Sequence, residues 1–146
     1  MQYIKQIEAI ETFSVRHPVL RGGKPIESCH FDGDDLETTI HFGLFLENNI
    51  IGVISLFENI NPLFTPEKQF QIRGMAVLEN HQKKGFGADL VNYAENYIKE
   101  QNGELIWFNA RINAVRFYEK LGYKIIGNAF EIGDIGTHYV LFKETA

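Results

Sequence analysis

Residues 69–101 constrain this chain more than any other stretch, because a strand-like segment runs through a basic, glycine-bearing turn straight into an amphipathic helix. From Gln69 to Leu78, Phe70, Ile72, Gly74 and Ala76 fall on one parity and Gln71, Arg73, Met75 and Val77 on the other, as two faces of a strand. Gly74 inside that run predicts a bulge. From Gly85 to Gln101 the apolar residues Phe86, Leu90, Ala94, Tyr97 and Ile98 recur at helical spacing, and Asn102-Gly103 supplies a stop.

The segments on either side extend this alternation of strand and helix. Gln2 to Ile7 alternates as a strand, and Ala9 to Arg21 reads as a helix that ends at Gly22-Gly23, with Pro18 arguing against full regularity. Gly22 to Leu36, with the acidic run Asp32-Gly33-Asp34-Asp35, is a loop. Thr38 to Leu46 and Ile50 to Glu58 flank Glu47-Asn48-Asn49 as a hairpin. Leu105 to Ala110 is a strand. Ala114, Phe117, Tyr118 and Leu121 mark one face of a helix that Asn113 is placed to cap, and Tyr123 to Asn128 and Thr137 to Lys143 are the last strands. The order β-α-β-β-β-α-β-α-β-β predicts an α/β fold of the α+β type with a mixed, mostly antiparallel sheet, and the length of 146 residues suits one domain spanning 1–146.

Composition removes several function classes. With 19 acidic and 14 basic residues and a formal charge of −5, the chain has no clustered basic surface for nucleic acid, so nucleic acid is not an expected partner. Ile50 to Phe57, the longest mainly apolar run, is far below the roughly 20 residues of a membrane helix, and Met1 to Lys5 lacks a signal-peptide pattern; no membrane partner and a cytoplasmic location are expected. The single Cys29 has no internal disulfide partner, and the five well-separated histidines give no metal cluster, so no metal is expected.

The turn itself looks built for a phosphate. Amides at a helix start lack internal partners and sit at the positive end of the dipole, glycines at 85 and 87 allow close approach, and Lys83 and Lys84 add charge. It lacks the third glycine of a dinucleotide fingerprint and the Gly-Lys-Ser/Thr ending of a nucleotide P-loop. Instead Gln82-Lys83-Lys84-Gly85-Phe86-Gly87 resembles the Gln/Arg-x-x-Gly-x-Gly/Ala motif of the GNAT acetyltransferases, and Ala114 through Tyr118 to Gly122-Tyr123 is similar to their second motif. One departure is Arg111, which stands where many members carry asparagine, with Asn109 and Asn113 on either side.

The resemblance implies a sheet whose fourth and fifth strands splay into a cleft for acetyl-CoA, the cosubstrate, and direct transfer of its acetyl group to a primary amine in a ternary complex. It implies that backbone groups of Met75, Ala76 and Val77 pair with the pantetheine arm, that Val77 polarises the acetyl oxygen, and that amides from Gln82 to Ala88 hold the pyrophosphate. The resemblance also implies that Asn109, Asn113 and Phe117 lie beside the cofactor. Tyr118 stands at the family position that gives a proton or hydrogen bond to the departing thiolate, although a packed aromatic would occupy the same helical stripe. His138 and Glu131 are candidate bases, and Arg73 is a candidate for orienting an acidic acceptor, against which Asp32, Asp34 and Asp35 would attract a cationic one. The acceptor is a small-molecule or peptide amine of open identity. Acyl-chain length and oligomeric state, a homodimer included, are open too. The competing reading is a catalytically degenerate module that senses acyl-CoA.

Overall fold

The computed structural model describes residues 1–145. Seven strands, β1 (Gln2–Ile7), β2 (Ile40–Leu46), β3 (Asn49–Glu58), β4 (Gln69–Val77), β5 (Leu105–Arg111), β6 (Lys124–Ile132) and β7 (Gly136–Glu144), form one sheet in the order β1-β2-β3-β4-β5-β7-β6. Helices α1 (Phe13–Leu20), α2 (Phe86–Glu100) and α3 (Val115–Lys120) flank it. Every strand pair is antiparallel except β4 with β5, so the sheet is mixed and mostly antiparallel as expected. The β2–β3 connection turns through Glu47 and Asn48 at φ 49° and 68°, the doubly left-handed geometry that matches strand twist in a tight hairpin.

Two local expectations needed correction. The segment 9–21 is not one helix: Ala9–Thr12 is a 3-10 turn in which the Thr12 hydroxyl donates to the Ala9 carbonyl at 2.6 Å, and the α-helix begins only at Phe13, with Pro18 inside it. Asn113 does not cap α3. A 3-10 turn over Ile112–Ala114 precedes that helix and leaves Ala114 at its N-cap with no side-chain bond.

The sheet has a separate packing layer on each face. Ile54 and Ile72 belong to the larger core with Leu90, Val91, Ala94 and Ile98 of α2. Val53 and Ala76 pack with Val15, Val19 and Leu20 of α1. Because Val53 and Ile54 are consecutive strand residues, their side chains leave opposite faces, which puts α2 and α1 on opposite sides.

A bulge in β4 adjusts this alternation near the middle of the sheet. Val53 pairs with Ala76 and Ser55 with Arg73, so Gly74 and Met75 together face the single Ile54, and Gly74 takes φ +65°. A Cβ at Gly74 would also lie 2.9 Å from the Phe31 ring, so both space and backbone angle require glycine there.

Under the α1 face lies a buried ionic cluster that the sequence reading did not anticipate. Arg16 is fully buried and bidentate to Asp34 at 2.6 and 3.1 Å; it also donates to the Cys29 carbonyl and to Ser55 Oγ. Asp34 in turn accepts from the Phe31 amide at 2.9 Å, a bond within the 22–36 loop. His41 completes the group, with Nδ1 2.6 Å from Ser55 Oγ and Nε2 2.9 Å from the Asp34 carbonyl.

Candidate active site

The parallel ladder between β4 and β5 is only three pairs long, Gln69 with Leu105, Phe70 with Ile106 and Gln71 with Trp107. Beyond it the strands diverge. A cleft of about 470 Å³ opens between Ile72–Met75 on one side and Phe108–Arg111 on the other. Strand ends that part in this way leave backbone donors and acceptors without a sheet partner, available to an extended ligand.

Residue parity decides which backbone groups face the gap. The Leu78 amide donates to Ile51 of β3 at 2.8 Å, so the groups of Val77 turn the other way, toward β5, and those of Met75 share that direction. Ala76, expected beside them as a cofactor contact, points its groups at its β3 partner Val53 instead, which leaves Met75 and Val77 as the residues whose backbone groups face the gap. The Val77 carbonyl is already engaged by Gln82 Nε2 at 2.8 Å, leaving its amide.

The turn into α2 forms an open amide cradle. Lys83 and Gly85 adopt φ 62° and 90°, a left-handed pair that swings successive N–H groups toward one side. Among the described residues, the amides of Lys83, Lys84, Gly85, Phe86, Gly87 and Ala88 have no protein acceptor, and the first capping bond is that of Asp89 to the Gly85 carbonyl. The Gln82 amide is different: it donates to the Glu79 carbonyl at 3.2 Å and is spent within the chain. Nothing lies within 4 Å of a Cβ built on Gly85, so the space before the cradle is free. Gly87 serves another purpose, since a Cβ there would come within 3.2 Å of Phe117 Cζ, and α3 can close against α2 only without it.

Tyr118 lies on the α2 side of the cleft, with its ring 4.4 Å from Phe108 and 4.9 Å from Phe117 between centroids. The side chain is nearly buried, yet its hydroxyl has no hydrogen-bond partner among the described residues and the residue lines the cleft. Burial pushes its pKa well above that of an ordinary tyrosine, so the phenol stays protonated. Tyr123, the other motif tyrosine, is structural: it donates to Glu95 at 2.8 Å, and Lys143 links Glu95 to the Leu121 carbonyl.

The opposite face carries different chemistry. Phe108 and Ala110 belong to the α2-side core, so Asn109 and Arg111 project to the α1 side; His138, the register partner of Arg111, projects with them. Arg73, next to Ile72, points the same way. His138 is buried and lines the cleft, and its Nδ1 lies 2.8 Å from the Gly136 carbonyl. A carbonyl only accepts, so Nδ1 carries the hydrogen and the neutral ring keeps its lone pair at Nε2.

The remaining expected residues lie apart. Glu131 is exposed on β6, bonded by the Thr137 hydroxyl at 2.6 Å, and is not among the cleft residues. Asn113 is exposed and also outside the lining. Asp34 is consumed by Arg16, Asp35 by an exposed contact with His30 at 2.8 Å, and neither faces the cleft. Arg21, Phe31 and Arg111 line it without having been singled out as site residues; only the Arg111 departure from the motif hinted at one of them.

A splayed parallel strand pair feeding an open amide turn matches the scaffold expected of an acyl-CoA-using transferase. The acetyltransferase (GNAT) family model matches residues 5–123, and the chain belongs to that family, whose members transfer acetyl groups from acetyl-CoA. It is 34% identical over 143 residues to the uncharacterized N-acetyltransferase YitI of Bacillus subtilis (strain 168), covering 98% of this chain and 96% of the relative. Its fold is similar to an aminoglycoside 6'-N-acetyltransferase complexed with coenzyme A, with a TM-score of 0.79 at 15% identity over 99% of this chain and 97% of the other. It is also similar to the ribosomal-protein-S18-alanine N-acetyltransferase of Escherichia coli, with a TM-score of 0.79 at 13% identity over 100% and 95%. Among the described residues no helix is long and apolar enough to cross a membrane.

Proposed function

We propose that this chain is a single N-acetyltransferase domain that passes the acetyl group of acetyl-CoA directly to a primary amine bound with it in one cleft. The observation that carries this reading is the division of the cleft: the amide cradle and Tyr118 lie on the α2 side, while His138 lies on the α1 side. A thioester reaching through the gap from the first side would meet an amine arriving from the second.

Acetyl-CoA supplies an activated acetyl group. The amides of Lys83 to Ala88, with the helix dipole behind them, suit its pyrophosphate, and Lys83 and Lys84 add charge at the rim. The Val77 amide, turned away from β3, supports this reading as the donor to the acetyl oxygen as negative charge grows there. His138 Nε2 accepts the proton the attacking amine must lose, and the Tyr118 hydroxyl hydrogen-bonds the sulfur as the carbon–sulfur bond breaks. Holding both reactants in line contributes roughly 7–11 kcal/mol in favourable cases, so modest acid-base groups suffice.

Gly85→Val tests the cradle. The position has free space but a left-handed backbone, so a branched side chain both obstructs the anion and pulls the turn out of shape. CoA affinity measured by calorimetry is expected to fall about tenfold, which is ~1.4 kcal/mol. Unchanged affinity in folded protein would remove the cradle from the mechanism. Gly87→Val is a poorer probe because it first collides with Phe117. Acetyl transfer itself is read by mass change across an amine panel; CoA binding with no acetylated product would favour the sensor instead.

A further inference from the structure

The acceptor side of the cleft has a lopsided charge. Arg21, Arg73 and Arg111 line it together with His138, and among the described residues not one aspartate or glutamate does. Arg21 and Arg73 stand around the same ring, with their guanidinium carbons 5.1 and 5.0 Å from the Phe31 centroid. Arg16 also stacks on that ring, at 3.9 Å, but Asp34 neutralises it.

The two outer arginines have no such partner. Arg21 donates to the Leu20 carbonyl at 3.1 Å and Arg73 to the Asp32 carbonyl at 3.3 Å, so each spends one donor of five on a neutral oxygen and, among the described residues, pairs with no carboxylate. Burial, with the nearby Arg16 and Arg21 charges, holds the Arg73 pKa below the usual arginine value against the pull of Asp34 and Asp32. Crowded, half-buried guanidiniums with idle planar donors are costly unless an anion joins them, and a carboxylate matches their fork geometry.

We infer that the amine acetylated by this enzyme also carries a carboxylate, seated between Arg73 and Arg21 beside the Phe31 ring. The inference rests on the N-acetyltransferase reading and narrows it to amino-acid-like acceptors. CoA phosphates do not compete for this position, because the amide cradle begins at α2 on the other face of the sheet. Val19, Leu20, Ile132 and Ile135 also line the cleft and give the body of such a molecule apolar surface to lie against.

The test uses the N-acetyl forms of glycine, leucine and glutamate, each paired with its α-amide, titrated calorimetrically into the protein with and without CoA. At least one acid is expected to bind tenfold or more tightly than its amide, and Arg73→Gln is expected to abolish that ratio while CoA affinity stays within twofold. Equal binding of acids and amides, no binding of any acid, or a ratio that survives both Arg73→Gln and Arg21→Gln overturns the inference. Tenfold tighter binding of N-acetyl-O-phosphoethanolamine than of every acid would overturn it too, by assigning the arginines to phosphate. Failure of CoA to bind would sink the transferase reading instead, and the comparison without CoA can still be read.

Discussion

Asp34→Ala is expected to lower stability by about 3–5 kcal/mol, because it strands the fully buried Arg16 charge without a counter-ion. The Cys29 carbonyl and Ser55 Oγ remain as partners, but neither carries charge, and the Phe31 amide loses its acceptor as well. For a chain of this size the loss corresponds to a melting temperature lower by roughly 6–20 °C. The double replacement Arg16→Met, Asp34→Leu is expected to recover part of it, since no unpaired charge is then buried. A chemical-denaturation midpoint unchanged by Asp34→Ala would show that the pair carries no such weight.

The same pair has a pH signature. Burial pushes the Asp34 carboxyl up, but hydrogen bonds from Arg16 and the Phe31 amide outweigh it and hold the group below its usual pKa. A depressed folded-state pKa means the stabilisation is complete above the unfolded value near ~3.9 and is lost as pH falls through the folded value. Stability is therefore expected to drop on acidification below about pH 4, and Asp34→Ala should flatten that limb. The loss also reaches the site, because Asp34 anchors Phe31, on which Arg21 and Arg73 stand.

Tyr118→Phe is expected to reduce turnover at saturating substrates by about ten- to a hundredfold, or ~1.4–2.7 kcal/mol of barrier. The ring packing against Phe108 and Phe117 is retained, and the hydroxyl has no partner among the described residues to orphan, so melting temperature and CoA affinity should hold. Burial raises this phenol above an ordinary pKa of ~10, whereas an alkyl thiol titrates near ~8.5, so complete proton transfer to the departing sulfur is uphill by at least ~2 kcal/mol. In the proposed mechanism the hydroxyl therefore hydrogen-bonds the growing thiolate instead of protonating it, and the rate profile should show no basic limb from Tyr118 below pH 10. An equally stable variant with normal turnover would reduce the residue to a core aromatic.

Much of the fold was legible because its signals are local. Helix and strand periods gave all seven strands, α2 stood out by its apolar stripe, and Gly74 marked its bulge by composition. Errors fell where neighbouring residues compete over one turn, as at Ala9–Thr12, where the Thr12 hydroxyl back-bonds to Ala9, and at Asn113, which a 3-10 turn displaces from the cap. For the candidate site, the cradle was visible as a motif, but Arg21 and Phe31 lie in helix-end and loop sequence with no pattern to single them out.

The sequence by itself determined the order of elements, the hairpin at Glu47-Asn48 and the position of the glycine-bearing turn into α2, since each depends on residues a few positions apart. Tertiary structure alone decided that β7 enters the sheet between β5 and β6 and that the β4–β5 ladder stops after three pairs. It also decided which face each cleft residue occupies: Arg73 shares a side with His138 because of strand alternation and pairing across the three neighbouring strands β4, β5 and β7, and Tyr118 lies opposite them. Charge followed the same division. Asp34 and Arg73 are equally ionic as letters, yet one is buried against Arg16 and the other is left facing the cleft, because the cost of desolvating a charge is set by the neighbours that folding brings to it.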